Sequence, residues 1–192
     1  MSKGHWSELA ALLQVGHLPF DPGLTDQEVE QVEKKFGFRF PPDLRAFLQA
    51  AMPVQIGFHD WRSDDEAKLR EILNWPLEGC LFDVEYNDFW LPEWGPKPEL
   101  LADAFAVAEE KINEAPKLIP IYSHRYIPEE PRESGNPVFS VHQMDIIYYG
   151  FDLDDYLRHE FNLPDRKEWP AEVRTIKFWN PERFQSMRWT EN

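Results

Sequence analysis

Only one cysteine, Cys80, occurs in the chain, so no disulfide can close within it and nothing in it calls for an oxidising compartment. No apolar run approaches the roughly 18 residues needed to span a membrane. The opening stretch Met1-Ser2-Lys3-Gly4-His5-Trp6 leads into an amphipathic segment in place of an apolar signal core, so the expected location is cytoplasmic. Basic residues are scarce too, with 20 Lys and Arg against 35 Asp and Glu and a formal net charge of −15. No basic block is present to follow a phosphate backbone, which argues against direct nucleic-acid binding. The same charge has two readings: it attracts a basic partner and speeds the encounter, or it only keeps the protein soluble.

Apolar material, by contrast, is plentiful. Hydrophobic residues make up 42% of the 192, and the eight tryptophans supply large areas to bury. The length fits a single domain over 1–192. Its helices are announced by caps and by periodicity. Trp6, Leu9 and Leu13 suggest a short first helix. Thr25 and Glu28 form a T-x-x-E capping box, followed by Val29, Val32 and Phe36 at helical spacing and a stop at Gly37. Pro41 and Pro42 open the next helix, with Leu44, Phe47, Leu48 and Ala51 on one face. Ser63 and Glu66 read as another capping box, with Leu69, Ile72 and Leu73 behind it and Pro76 as the stop. The longest predicted helix runs between Pro98 and Pro116 through Leu101, Phe105, Ala108 and Ile112. A last one starts at Asp152, with Asp154 and Asp155 favouring its positive end.

Strands are expected between these helices. Phe82, Val84 and Tyr86 alternate with Asp83 and Glu85, the pattern of a half-buried strand. Leu118 to Tyr122 is a second strand, expected to lie at an edge or to end early because Pro120 has no N–H for the ladder. Val138 to His142 and Asp145 to Tyr149 flank Gln143 and Met144, a tight antiparallel hairpin. Ile176 and Phe178 mark a final strand. Strands and helices do not alternate strictly, so the predicted class is α+β, a mainly antiparallel sheet with helices packed on it. Residues 87–98 and 128–137 read as long loops.

The run Leu24-Thr25-Asp26-Gln27-Glu28-Val29-Glu30, with Val32-Glu33, Phe36-Gly37 and Phe40-Pro41-Pro42-Asp43-Leu44-Arg45-Ala46-Phe47-Leu48, resembles the opening of the SUKH superfamily, also called the Smi/Knr family. Leu118 to Tyr122, Asn136 to Val141 and Asp145 to Leu153 are similar to its sheet and final helix. With Phe82 to Glu85 and Trp90 to Pro96 added, the likeness covers roughly residues 24–163 and leaves 1–20 and 165–192 as extensions. The resemblance implies an α+β protein-binding domain. Many bacterial members resemble immunity proteins that neutralise toxins, often nucleases, and fungal members resemble regulators of cell-wall assembly. It brings no catalytic motif and no cofactor.

Candidate contact residues follow from side-chain chemistry. Trp90 and Trp94 lie in a proline-rich loop, and they are either interface anchors or a lid over the core. His124, Arg125 and Tyr126 combine charge with an aromatic. Asp154 and Asp155 sit in a stretch, residues 145–168, with seven acidic residues against three basic ones, suited to steering a basic toxin domain. A metal-dependent hydrolase using His124 and His142, with Asp145, is the enzymatic alternative; H-E-x-x-H, G-x-S-x-G and P-loop motifs are all missing. His59 and Asp60 with Asp64, Asp65 and Glu66 could bind a cation, though a capped helix start explains the acids more simply. Cys80 reads as a small buried hydrophobe. Oligomeric state is left open by the sequence.

Overall fold

The computed structural model describes residues 3–165 and 172–185. Helix α1 (Lys3–Val15) buries Trp6, Leu9 and Leu13 against α3 (Pro42–Ala50). Between them runs α2 (Asp26–Phe36), whose start carries the predicted capping box: Glu28 N–H donates to Thr25 Oγ1 at 3.2 Å while Thr25 N–H donates to the Glu28 carboxylate at 2.7 Å. Gly37 ends the helix at φ 67°, a left-handed backbone open to glycine at little cost. Short strands β1 (Phe20–Pro22) and β2 (Ala51–Pro53) pair antiparallel.

The main sheet is an antiparallel meander of β3 (Leu118–Tyr122), β4 (Arg125–Pro128), β5 (Val138–His142) and β6 (Asp145–Gly150). As Pro120 requires, β3 lies at an edge. The predicted β5–β6 hairpin turns through Gln143 at φ 56°. The sheet is covered on both faces. Ile119, Ile121, Ile127 and Val138 join one core with α1, α2, α3 and α6 (Leu153–Glu160). Leu118, Tyr126, Phe139, Val141 and Ile146 join the other, with α4 (Glu66–Tyr86), α5 (Leu101–Asn113) and α7 (Pro181–Gln185). Tyr148 and Tyr149 therefore both find cover, on opposite faces: Tyr148 against Phe139 and Tyr149 against Tyr156. The α+β class stands.

Other corrections concern α4. The alternation of Phe82, Val84 and Tyr86 is not a strand, and Pro76 is not a stop, because one 21-residue helix runs through both. It is α4, and not α5, that is longest among the described elements. Its N-cap is Asp65, which accepts from Lys68 N–H at 3.1 Å, and not Ser63, which accepts from Asp65 N–H. Proline inside a helix removes the N–H that would bond the carbonyl four residues back, here that of Ile72. Tyr126 replaces it: its buried hydroxyl donates to the Ile72 carbonyl at 2.9 Å. Strand β4, which carries Tyr126, goes unpredicted, as do β1 and β2. Residues 176 and 178 are not in a strand; Phe178 has φ 71° and packs between Trp94 and Trp179.

Two contacts fix α4 on the β5–β6 turn. A Cβ on Gly79 would stand 2.7 Å from Gln143 Cα, so only glycine permits this approach. Four residues on, the buried Asp83 carboxylate accepts the Met144 N–H at 2.8 Å and the Asn87 side chain at 2.5 Å.

Loss of the hydroxyl in Tyr126→Phe leaves the part-buried Ile72 carbonyl unpaired and should cost about 1–3 kcal/mol in denaturant unfolding. Because Pro76→Ala restores an N–H to Ile72, the same substitution made in that background should cost distinctly less, a coupling that a double-mutant cycle reads directly. Gly79→Ala, normally worth up to about 1 kcal/mol in a helix interior, should instead destabilise by about 1–3 kcal/mol through overpacking against the turn.

Candidate protein-binding face

Helix α4 carries two apolar stripes. Leu69, Pro76, Cys80 and Val84 face inward. Trp75, Phe82 and Tyr86, spaced i, i+7 and i+11, share another face and stay 42%, 44% and 65% exposed. Phe82 and Tyr86 rings meet at 4.8 Å between centroids. With Phe105 and the β5–β6 turn residues His142 and Gln143 they line a groove of ≈ 460 Å³, and Glu78 and Glu85 stand among them. The neighbouring Glu85 carboxylate raises the pKa of the Tyr86 hydroxyl. Reading 82–86 as a strand hides this face, since alternation assigns Phe82 and Tyr86 to a core. The sequence signal for the helix was there, in the continuing helical repeat of Leu69, Leu73, Pro76, Cys80 and Val84.

The residues nominated from sequence are dispersed. Trp90 and Trp94 are half-buried and fold back on the second core: Trp90 Nε1 donates to the Gly95 carbonyl at 2.7 Å, the two indoles meet edge to face at 5.1 Å, and Trp94 stacks with Phe178. Tyr126 is buried as the donor to Ile72. Arg125 lies 3.6 Å over the Tyr149 ring, donates to Ser140 Oγ and faces the Glu160 carboxylate at 3.7 Å. Asp154 is 1% exposed and paired with Arg158 and His5. Asp155 accepts the Phe151 N–H, and its own N–H donates to the Asp152 cap. Tyr126, Asp154 and Asp155 are thus buried and engaged within the fold.

His124 and His142 do come near each other across β4 and β5, close enough that His142, after burial and Arg125, helps to lower the His124 pKa. His142 pairs in register with Asp145. Among the described residues, however, no group of three or more His, Cys, Asp or Glu is placed to hold a metal ion. Burial pushes the Cys80 thiol up to about 12, with the Asp83 charge adding to it, so it is not poised as a nucleophile. At the proposed cation site, Asp60 accepts from Arg62 N–H and Asp65 caps α4.

His59 has turned inward. Burial, partly opposed by a hydrogen bond to the Ser123 backbone, and the Lys68 charge bring its pKa down to about 4, and its Nε2 has no hydrogen-bond partner among the described residues. A depressed histidine pKa means that the unfolded chain takes the proton first as pH falls. Stability is then whole above about pH 6.5 and is lost on descending towards pH 4, by at most about 3 kcal/mol. Urea midpoints measured across that window should fall with pH in the wild type and fall less in His59→Gln.

Among the described residues no helix is long and apolar enough to cross a membrane. No curated protein and no solved structure matches the chain significantly. The model of the SMI1 / KNR4 family (SUKH-1) does match, over residues 23–173, a span running from just before the α2 capping box past α6. With most of its length matched by that model, and the capped helix pair and antiparallel sheet in place, the chain belongs to the SMI1 / KNR4 family (SUKH-1).

Proposed function

We propose that this domain is a non-catalytic, cytoplasmic protein-binding module of the immunity type, which neutralises a toxin domain by covering it. The observation that carries the reading is family membership over residues 23–173, since the resemblance implies binding and brings no reacting residues. Two further features support it. The chain's charge of −15 suits a basic partner, and the exposed aromatics of α4 supply the residue types that dominate binding energy at interfaces.

Co-expression with the protein encoded by the neighbouring gene tests this. Rescue of cells from a toxic neighbour, together with a complex that survives purification, is the expected result. A harmless neighbour that forms no complex would instead favour a regulatory interaction domain outside any toxin context.

A further inference from the structure

Building on the protein-binding reading, we infer that the α4 groove docks a basic segment of the partner, an arginine-bearing stretch whose guanidinium lies on the Phe82 and Tyr86 rings and pairs with Glu78 and Glu85. Three observations converge on that occupant. The first is uncovered aromatic area: Trp75, Phe82 and Tyr86 are each more than two-fifths exposed on one helix face. Large aromatics cost free energy in water, and a clustered patch of them marks a contact site. The second is shape, because a groove of ≈ 460 Å³ falls within the size range of sites that enclose a ligand group.

The third is charge. Glu78 and Glu85 flank the aromatics within the same groove, both exposed. Anionic ligands are therefore repelled. A second copy of this chain is disfavoured as well, because a two-fold contact sets the same patch against itself, bringing these carboxylates and two chains of −15 face to face. A guanidinium satisfies both features at once, since it stacks on aromatic faces and forms paired hydrogen bonds with carboxylates. The groove is also rigidly backed: Gly79 lies on Gln143 and Asp83 ties the helix to Met144, so binding there orders little that is not already fixed.

The probe is a short synthetic peptide of alternating arginine and leucine, titrated into the full-length isotope-labelled protein and followed by amide chemical shifts. Shifts should concentrate on residues 75–86 and on 142 and 143. Glu78→Gln with Glu85→Gln should weaken binding about tenfold and flatten its salt dependence, and Trp75→Ala with Phe82→Ala should weaken it about tenfold or more with an unchanged circular dichroism spectrum. Shifts spread over the whole acidic surface, an affinity unchanged from the wild type in both double variants, or self-association that disappears with the aromatics would each overturn the assignment. The rescue assay separates this inference from the one beneath it. Rescue that persists in Trp75→Ala/Phe82→Ala sinks the docking face and leaves immunity standing. If the wild type does not rescue, the immunity reading falls, and the peptide titration still decides the groove.

Discussion

A single hydrogen bond, from the Tyr126 hydroxyl to the Ile72 carbonyl, replaces within the longest described helix the bond that Pro76 cannot make. Pro76 withholds the donor that Ile72 needs, and a buried carbonyl without a partner is costly enough to end a helix. With the hydroxyl supplied from β4, residues 66–86 continue as one rod. Burial raises the Tyr126 pKa, so the donor proton stays in place. Everything on the outer face of α4 depends on that continuity, because the stripe of Trp75, Phe82 and Tyr86 lines up only if the residues before and after Pro76 share one axis.

The acidic side chains divide into two populations. One is spent inside: Asp43 accepts the Gly135 N–H, Asp83 the Met144 N–H, Asp152 the Asp155 N–H, and Asp154 the Arg158 guanidinium. Such carboxylates bind loops and turns to helices. A related knot lies at the α2 start, where Arg62 grips both oxygens of Glu28 and the carbonyls of Pro22 and Gly23. It clamps the α2 start to the loop before α4 and holds the Glu28 carboxyl down at about 2, with the Thr25 bonds assisting. The other population, including Glu78 and Glu85, is exposed and makes up the surface that a partner meets.

The sheet's two covered faces explain why so few aromatics are wholly free. Trp6 and Phe47 meet in one core, Trp179 and Phe184 in the other. Trp61 is boxed edge to face by Phe38 and Phe40, and residues 89–94 lie over the second core. Against that background the uncovered stripe on α4 is conspicuous.

What the sequence determined by itself was local. Capping at Thr25 and Asp152, the proline start of α3, the edge place of Pro120 and the two-residue β5–β6 turn are written in neighbouring side chains, and each holds in the structure. The family, too, was legible there, because its pattern is built from those same local devices. The tertiary structure alone decided whether Pro76 ends a helix, since the donor that overrules it comes from 50 positions further along the chain. With that went the fate of Phe82 and Tyr86, whose alternation fits a strand and whose exposure follows only from the helix. Burial of Tyr126, Asp154 and Asp155 was likewise invisible, because a polar residue's side of the surface depends on which distant N–H, carbonyl or guanidinium comes to meet it.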